Sequence, residues 1–179
     1  MSEARFLRCV GLVLDVEGGW SDVPADRGGR TMRGITEAVF LEASIRGIVP
    51  HGTAQRDLTA DQARAIYHEL YWKAARCDDF PLPLDLLLFD GYVNHRPHTA
   101  VKLMQQALRV EDDGIVGSAT LTAAQQNRRP SLIVARYIVA REDFYENLVQ
   151  TDASQATFIR GWKNRLVLVH REAMKDLAA

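Results

Sequence analysis

The sequence predicts a mainly helical protein, and three observations predict it. Apolar residues recur at three- and four-residue spacing through most of the chain, and residues that start and stop helices bracket those runs. Alternating apolar and polar residues form no series of strands, so the only sheet expected is a small hairpin within residues 20–36. With 179 residues, 47% of them hydrophobic, the chain is long enough to bury a real core, as one compact domain or two tightly joined lobes. It is expected to fold as a monomer.

The elements follow in order. Phe6, Val10, Val13 and Glu17 lie four, three and four residues apart, which places them on one face of a helix over residues 3–17 and ends that face in a carboxylate. Residues 18–34 form a polar loop whose five glycines permit tight turns. Thr36 or a neighbour opens a short helix toward Arg46, stopped by Gly47 and Pro50. Thr59 caps the next helix, Gln62 completes a capping box, and Leu58 is placed to touch Ala63. That helix is expected to reach about Ala75 with both of its faces covered, because Ile66, Leu70 and Lys73 share one face and Tyr67, Tyr71 and Ala74 the next. Pro83 opens a helix that Asn94-His-Arg-Pro97 interrupts, and the domain boundary is drawn there: residues 1–95 and 96–179. Thr99 caps a helix to Leu108, Ser118 precedes a short one, and two long helices cover residues 131–148 and 158–177. In the last, Ile159, Trp162, Leu166, Val169 and Ala173 follow helical spacing.

Composition narrows the function. The 22 Lys+Arg and 23 Asp+Glu leave a formal charge of −1, and no basic stripe marks a nucleic-acid binder. The densest apolar run, Leu82 to Phe89, is too short and too interrupted by Asp85 to insert stably in a membrane. Cys9 and Cys77 read as buried thiols, and the scattered histidines, His68, His95 and His98 among them, lack metal-ligand spacing, so neither a metal nor another cofactor is expected. The N-terminus lacks the pattern of a conventional signal peptide, which fits cytoplasmic synthesis.

The chemistry concentrates in the glycine-rich loop. Glu17 ends an apolar helix face beside that loop, a setting that combines reduced solvation with access; desolvation favours the neutral acid, able to protonate a glycosidic oxygen. Asp26, nine positions on, is the partner carboxylate if the loop folds back, with Asp22 the competitor, and their separation from Glu17 decides between direct water attack and a covalent intermediate. Thr31 can orient water; Thr36 can do the same or cap a helix. Arg27, Arg30 and Arg33 either meet anionic groups or keep the loop soluble. Asp26-Arg-Gly-Gly-Arg-Thr31 lacks the complete phosphate-loop signature and its lysine, which argues against nucleotide hydrolysis. Trp20 and Tyr92 offer aromatic platforms for sugar rings and Asn94 an amide for their polar groups, whereas Trp72 reads as core.

The compound pattern Glu17-Gly-Gly-Trp20, Asp26-Arg-Gly-Gly-Arg-Thr31 and Gly34-Ile-Thr36, continued by Tyr71-Trp72 and Phe89-Asp-Gly-Tyr-Val-Asn94, resembles the helical N-acetylmuramidases of glycoside hydrolase family 108. The resemblance implies a lysozyme-like helical catalytic lobe that cleaves the β-1,4 bond between N-acetylmuramic acid and N-acetylglucosamine, with Glu17 as the acid. An acid, an aspartate and a threonine share the active site of related phage-type lysozymes, so Glu17, Asp26 and Thr31 form the implied set. Leu103-Met-Gln-Gln-Ala-Leu108, Asp113-Gly-Ile-Val-Gly117, Thr120-Leu121 and Gly161-Trp-Lys-Asn-Arg165 are similar to the helical peptidoglycan-binding domain that commonly follows. Three positions depart from the family pattern: Trp20 stands where tyrosine is usual, Arg27 where proline is common, and His95-Arg96-Pro97 where a glycine is expected.

The implied partner is the peptidoglycan glycan strand. The implied location is the periplasm or cell wall, reached through a holin or a dedicated secretion route, in a phage lysis system, a gene-transfer particle or a secretion locus. The near-neutral charge points to groove hydrogen bonds and sugar-ring packing rather than a dominant positive surface. The alternative class is a noncatalytic peptidoglycan-binding or secretion-assembly protein, which leaves the acidic loop without a purpose. A peptidoglycan amidase or endopeptidase would release peptides instead of sugars.

Overall fold

The computed structural model of the chain describes residues 3–17, 20–21 and 30–178, with the side chains of residues 16, 17, 20 and 21 outside the description. Helices dominate, and packing divides the chain into two units, Met1–Ala74 and Ala75–Ala179. The break by packing precedes helix α4, Leu84–Asn94, whereas the boundary drawn from the sequence follows it. The interruption at residues 94–97 is a real helix end, but the apolar surface of α4 is covered by helices of the second unit.

In the first unit, α1 (Glu3–Glu17) buries Phe6, Cys9, Val10 and Val13 along the expected face. Burial of Phe6, Val10 and Val13 stabilises by about 1.5–3 kcal/mol each, which fixes the helix that ends at Glu17. The expected hairpin is present and gains a third strand. Strands β1 (Trp20–Ser21), β2 (Thr31–Met32) and β3 (Ile35–Thr36) pair antiparallel in that order. Arg33 and Gly34 join β2 to β3 with φ of +54° and +76°, the doubly positive geometry of a type I′ turn, whose twist matches that of the strands. Thr36 then caps α2 (Glu37–Ile45), its hydroxyl accepting from the Val39 amide at 3.3 Å.

Helix α3 (Ala60–Tyr67) opens with the expected reciprocal bonds between Thr59 and Gln62. It continues into a wider π turn, His68–Trp72, closed by the Lys73 amide donating to the His68 carbonyl at 2.9 Å. This corrects the expectation of two covered faces: Ala63, Ile66 and Tyr67 are buried, while Lys73 and Ala74 are exposed. The extra residue in the turn changes the angular position of everything after Tyr67 and turns Trp72 inward, its ring 5.6 Å from that of Phe6. Trp72 is core, as expected.

In the second unit, α4 is buried from Leu84 through Gly91 and so is apolar all round. Around it lie α5 (Pro97–Leu108), α7 (Pro130–Thr151) and α8 (Ile159–Ala178), with α6 (Ser118–Gln125) against α5. Helix α5 begins before Thr99, the expected cap, because Pro97 takes its first turn, where a missing N–H removes no helical bond. In α8, Leu166, Val169 and Ala173 are buried, and Trp162 stacks on Tyr145 of α7 at 4.9 Å. Cys9 and Cys77 are buried, as expected. Among the described residues, no helix is long and apolar enough to cross a membrane.

Candidate functional site

The register of the small sheet ties the candidate residues of the first unit together through the backbone. Glu17 is the last residue of α1, Trp20 opens β1, and Ser21 lies directly opposite Thr31 on β2. The strand that carries Thr31 therefore runs beside the segment that leaves the acid. Asp26 lies outside the described residues, as do Asp22 and Arg27. Of the two threonines, Thr36 spends its hydroxyl on the α2 cap. Thr31 is half-buried and its hydroxyl holds no hydrogen bond among the described residues.

Three side chains pin this sheet to the helices. The Gln55 amide donates to the Ile35 carbonyl at 2.9 Å and to the Arg30 carbonyl at 3.3 Å. The Tyr67 hydroxyl donates to the Arg33 carbonyl at 3.0 Å, and Arg33 Nε donates to the Leu58 carbonyl at 3.3 Å. These bonds hold Arg33 in a left-handed conformation that costs a residue with a Cβ roughly 1–2 kcal/mol. Arg33 is thus a tether of the β2–β3 turn, and Arg30 pairs with Glu37 at 3.4 Å on the surface. Only the turn residues Arg33-Gly34 were open to discovery from sequence, since Gln55 acts across 20 and 25 residues.

Tyr92 and Asn94 belong to α4 of the second unit. Tyr92 is half-buried, and burial pushes its hydroxyl pKa up. Asn94 Nδ2 donates to the Asp90 carbonyl one turn back at 3.0 Å, which orients the amide at the end of the helix. The helix is anchored by a buried charge cluster. Asp90 accepts from Arg141 Nη1 at 2.6 Å and from Arg165 Nε at 2.8 Å, while Arg141 also donates to His95 Nε2 and the Tyr145 hydroxyl, each at 3.1 Å. Burial alone would push the Asp90 carboxyl up, but the guanidinium groups of Arg165 and Arg141 hold it below the usual carboxylate range. Burial, and then the charge of Arg141, push His95 down to about 3, so it stays neutral and accepts. Among the described residues, no group of three or more His, Cys, Asp or Glu side chains could hold a metal.

Comparison with known proteins bears on what this scaffold does. Residues 10–95 match the family described as Glycosyl hydrolase 108, and residues 99–167 match the Predicted Peptidoglycan domain. No curated protein sequence gives a significant match. The chain is similar to the solved structure of Brucella abortus SagA, with a TM-score of 0.81 and 29% identity, over 98% of this chain and 97% of that one. A helical scaffold that joins a glycosidase domain to a peptidoglycan domain defines a peptidoglycan hydrolase. Residues 10–95 of this chain are a domain of the glycosyl hydrolase 108 family.

Proposed function

We propose that the chain is an N-acetylmuramidase that cleaves the β-1,4 bond between N-acetylmuramic acid and N-acetylglucosamine, with Glu17 as general acid. The observation that carries this reading is the position of Glu17 as the final residue of α1, one short connection ahead of the strand paired with Thr31. Backbone carbonyls at a helix C-terminus disfavour negative charge, so a glutamate there keeps its proton more readily. Glu17 gives that proton to the oxygen at C4 of N-acetylglucosamine as the bond from it to C1 of N-acetylmuramic acid breaks. Water adds to C1, directed by Asp26 and Thr31, and passes its proton to Asp26, with inversion at the anomeric carbon. Trp20 and Tyr92 stack on sugar rings and Asn94 bonds their polar groups. The protein acts on the wall outside the cytoplasm, after export or release.

Clearing of purified sacculi tests the assignment. Glu17→Gln keeps the side-chain size and removes the transferable proton, so the rate is expected to fall by about 10²–10⁴. Clearing at the wild-type rate by Glu17→Gln would remove the acid from the mechanism.

A further inference from the structure

Helices α2 and α5 end in the same hydrogen-bond pattern, and only one of them uses the residue that the pattern favours. At the end of α2, the Ile48 amide donates to the Ala43 carbonyl at 2.9 Å and the Gly47 amide to Ser44 at 3.1 Å, with Gly47 at φ +69°. At the end of α5, the Val110 amide donates to Gln105 and the Arg109 amide to Gln106, both at 3.1 Å, with Arg109 at φ +60°. This Schellman arrangement calls for glycine at the left-handed position, because a Cβ there is strained. An arginine is kept against that preference.

The Arg109 side chain lines a groove of about 380 Å³ between α5 and α7. Ala107 of α5 and Ala135 and Val139 of α7 give it an apolar surface, and Arg136 and Asp143 of α7 give it charge. Arg136, Val139 and Asp143 recur at three and four residues and so form one stripe of the helix. The side chains of Arg109, Arg136 and Asp143 make no hydrogen bond or ion pair among the described residues. Their neighbours are paired: Gln106 with Asp112 at 2.7 Å and Glu142 with Lys163 at 2.8 Å. Every residue of the groove falls within the segment matched to the peptidoglycan domain.

We infer that this groove holds the peptide stems of peptidoglycan, with Arg109 and Arg136 receiving stem carboxylates and Asp143 an amino group. Guanidinium–carboxylate contacts are charge-assisted and bidentate, and neutral sugar rings offer these groups nothing comparable. The alanine-lined surface suits the methyl side chains of a stem rich in alanine. The inference rests on the peptidoglycan reading above and names the part of the polymer that the second unit grips. It also explains a near-neutral protein on an anionic polymer, since two placed cations suffice where a broad positive surface is absent.

The test is titration of the full-length protein with a synthetic stem tetrapeptide, alanyl-γ-glutamyl-diaminopimelyl-alanine, followed by calorimetry or NMR. The peptide has no glycosidic bond, so binding is read apart from turnover. Wild type is expected to bind, more weakly as salt rises, and Arg109→Gly and Arg136→Gln are each expected to bind about tenfold more weakly. Arg109→Gly is expected to melt at or above the wild-type temperature, because glycine relieves the left-handed strain, so its loss of binding is not a loss of fold. Absence of binding at millimolar peptide, or wild-type affinity in both variants, overturns the inference. A protein that cleaves sacculi without binding the peptide removes this site and leaves the proposed activity, whereas one that binds the peptide in an Arg109-dependent way without cleaving sacculi removes the activity and leaves the site.

Discussion

Asn in place of Asp90 preserves the side-chain volume and removes a charge that two buried guanidinium groups share. Arg141 is 0% exposed and Arg165 6%, and both donate to Asp90, at 2.6 and 2.8 Å. Asparagine has one acceptor oxygen, so it satisfies one arginine and turns its own N–H toward the other. Breaking a buried pair from one side costs about 3–5 kcal/mol, because the remaining charge stays desolvated. That is a large share of the ~5–15 kcal/mol that holds a domain together. For a chain of this length each kcal/mol moves the melting temperature by about 2–4 °C, so Asp90→Asn is expected to lower it by roughly 6–20 °C in a calorimetric scan. Adding Arg141→Met to Asp90→Asn removes an uncompensated charge and is expected to recover part of the loss. A melting temperature within about 2 °C of wild type for Asp90→Asn would refute the claim that this cluster anchors α4, by the same conversion.

Three further outcomes are expected. A Cβ on Gly91 would collide with the Tyr137 hydroxyl, which has no hydrogen-bond partner among the described residues; Gly91→Ala should cost about 1–3 kcal/mol in urea unfolding, and Tyr137→Phe should relieve most of that cost while being nearly neutral alone. Gln55→Ala removes two bonds to the β2–β3 segment; it should destabilise by about 1–3 kcal/mol and lower kcat on soluble glycan fragments more than it raises KM. His95 has a folded pKa of about 3 against an ordinary 6.5, so as pH falls through this window the unfolded chain takes up a proton that the folded one refuses. Stability therefore falls with pH by up to about 1.4 kcal/mol per unit, a slope that His95→Gln should remove in unfolding measured at neutral and mildly acidic pH.

Local rules carried the helices and long-range bonds carried the rest. The face of α1, the Thr59–Gln62 box and the Gly47 stop are short-range signals, and each appears where periodicity and capping place it. The cap at Thr99 failed because Pro97 pre-empts it, and the covering of both α3 faces failed because a π turn shifts the helical phase after Tyr67. In the candidate site, the pairing of the loop hairpin and the capping role of Thr36 became definite only through register and one cap bond. The Asp90–Arg141–Arg165 cluster spans 51 and 75 residues, so no local motif pairs its members, and Gln55 reaches the Ile35 carbonyl across 20 residues. The strained Arg109 likewise shows only in its backbone angle, since an arginine at a helix end is otherwise ordinary.

The central claim is that this chain cuts the glycan at N-acetylmuramic acid. Digestion of purified sacculi with the protein, followed by mass spectrometry of the soluble products, tests it most directly. Fragments that all end in a reducing N-acetylmuramic acid, formed first as the α-anomer, are the predicted result. Fragments that end in reducing N-acetylglucosamine, or free stem peptides with the glycan intact, would contradict it.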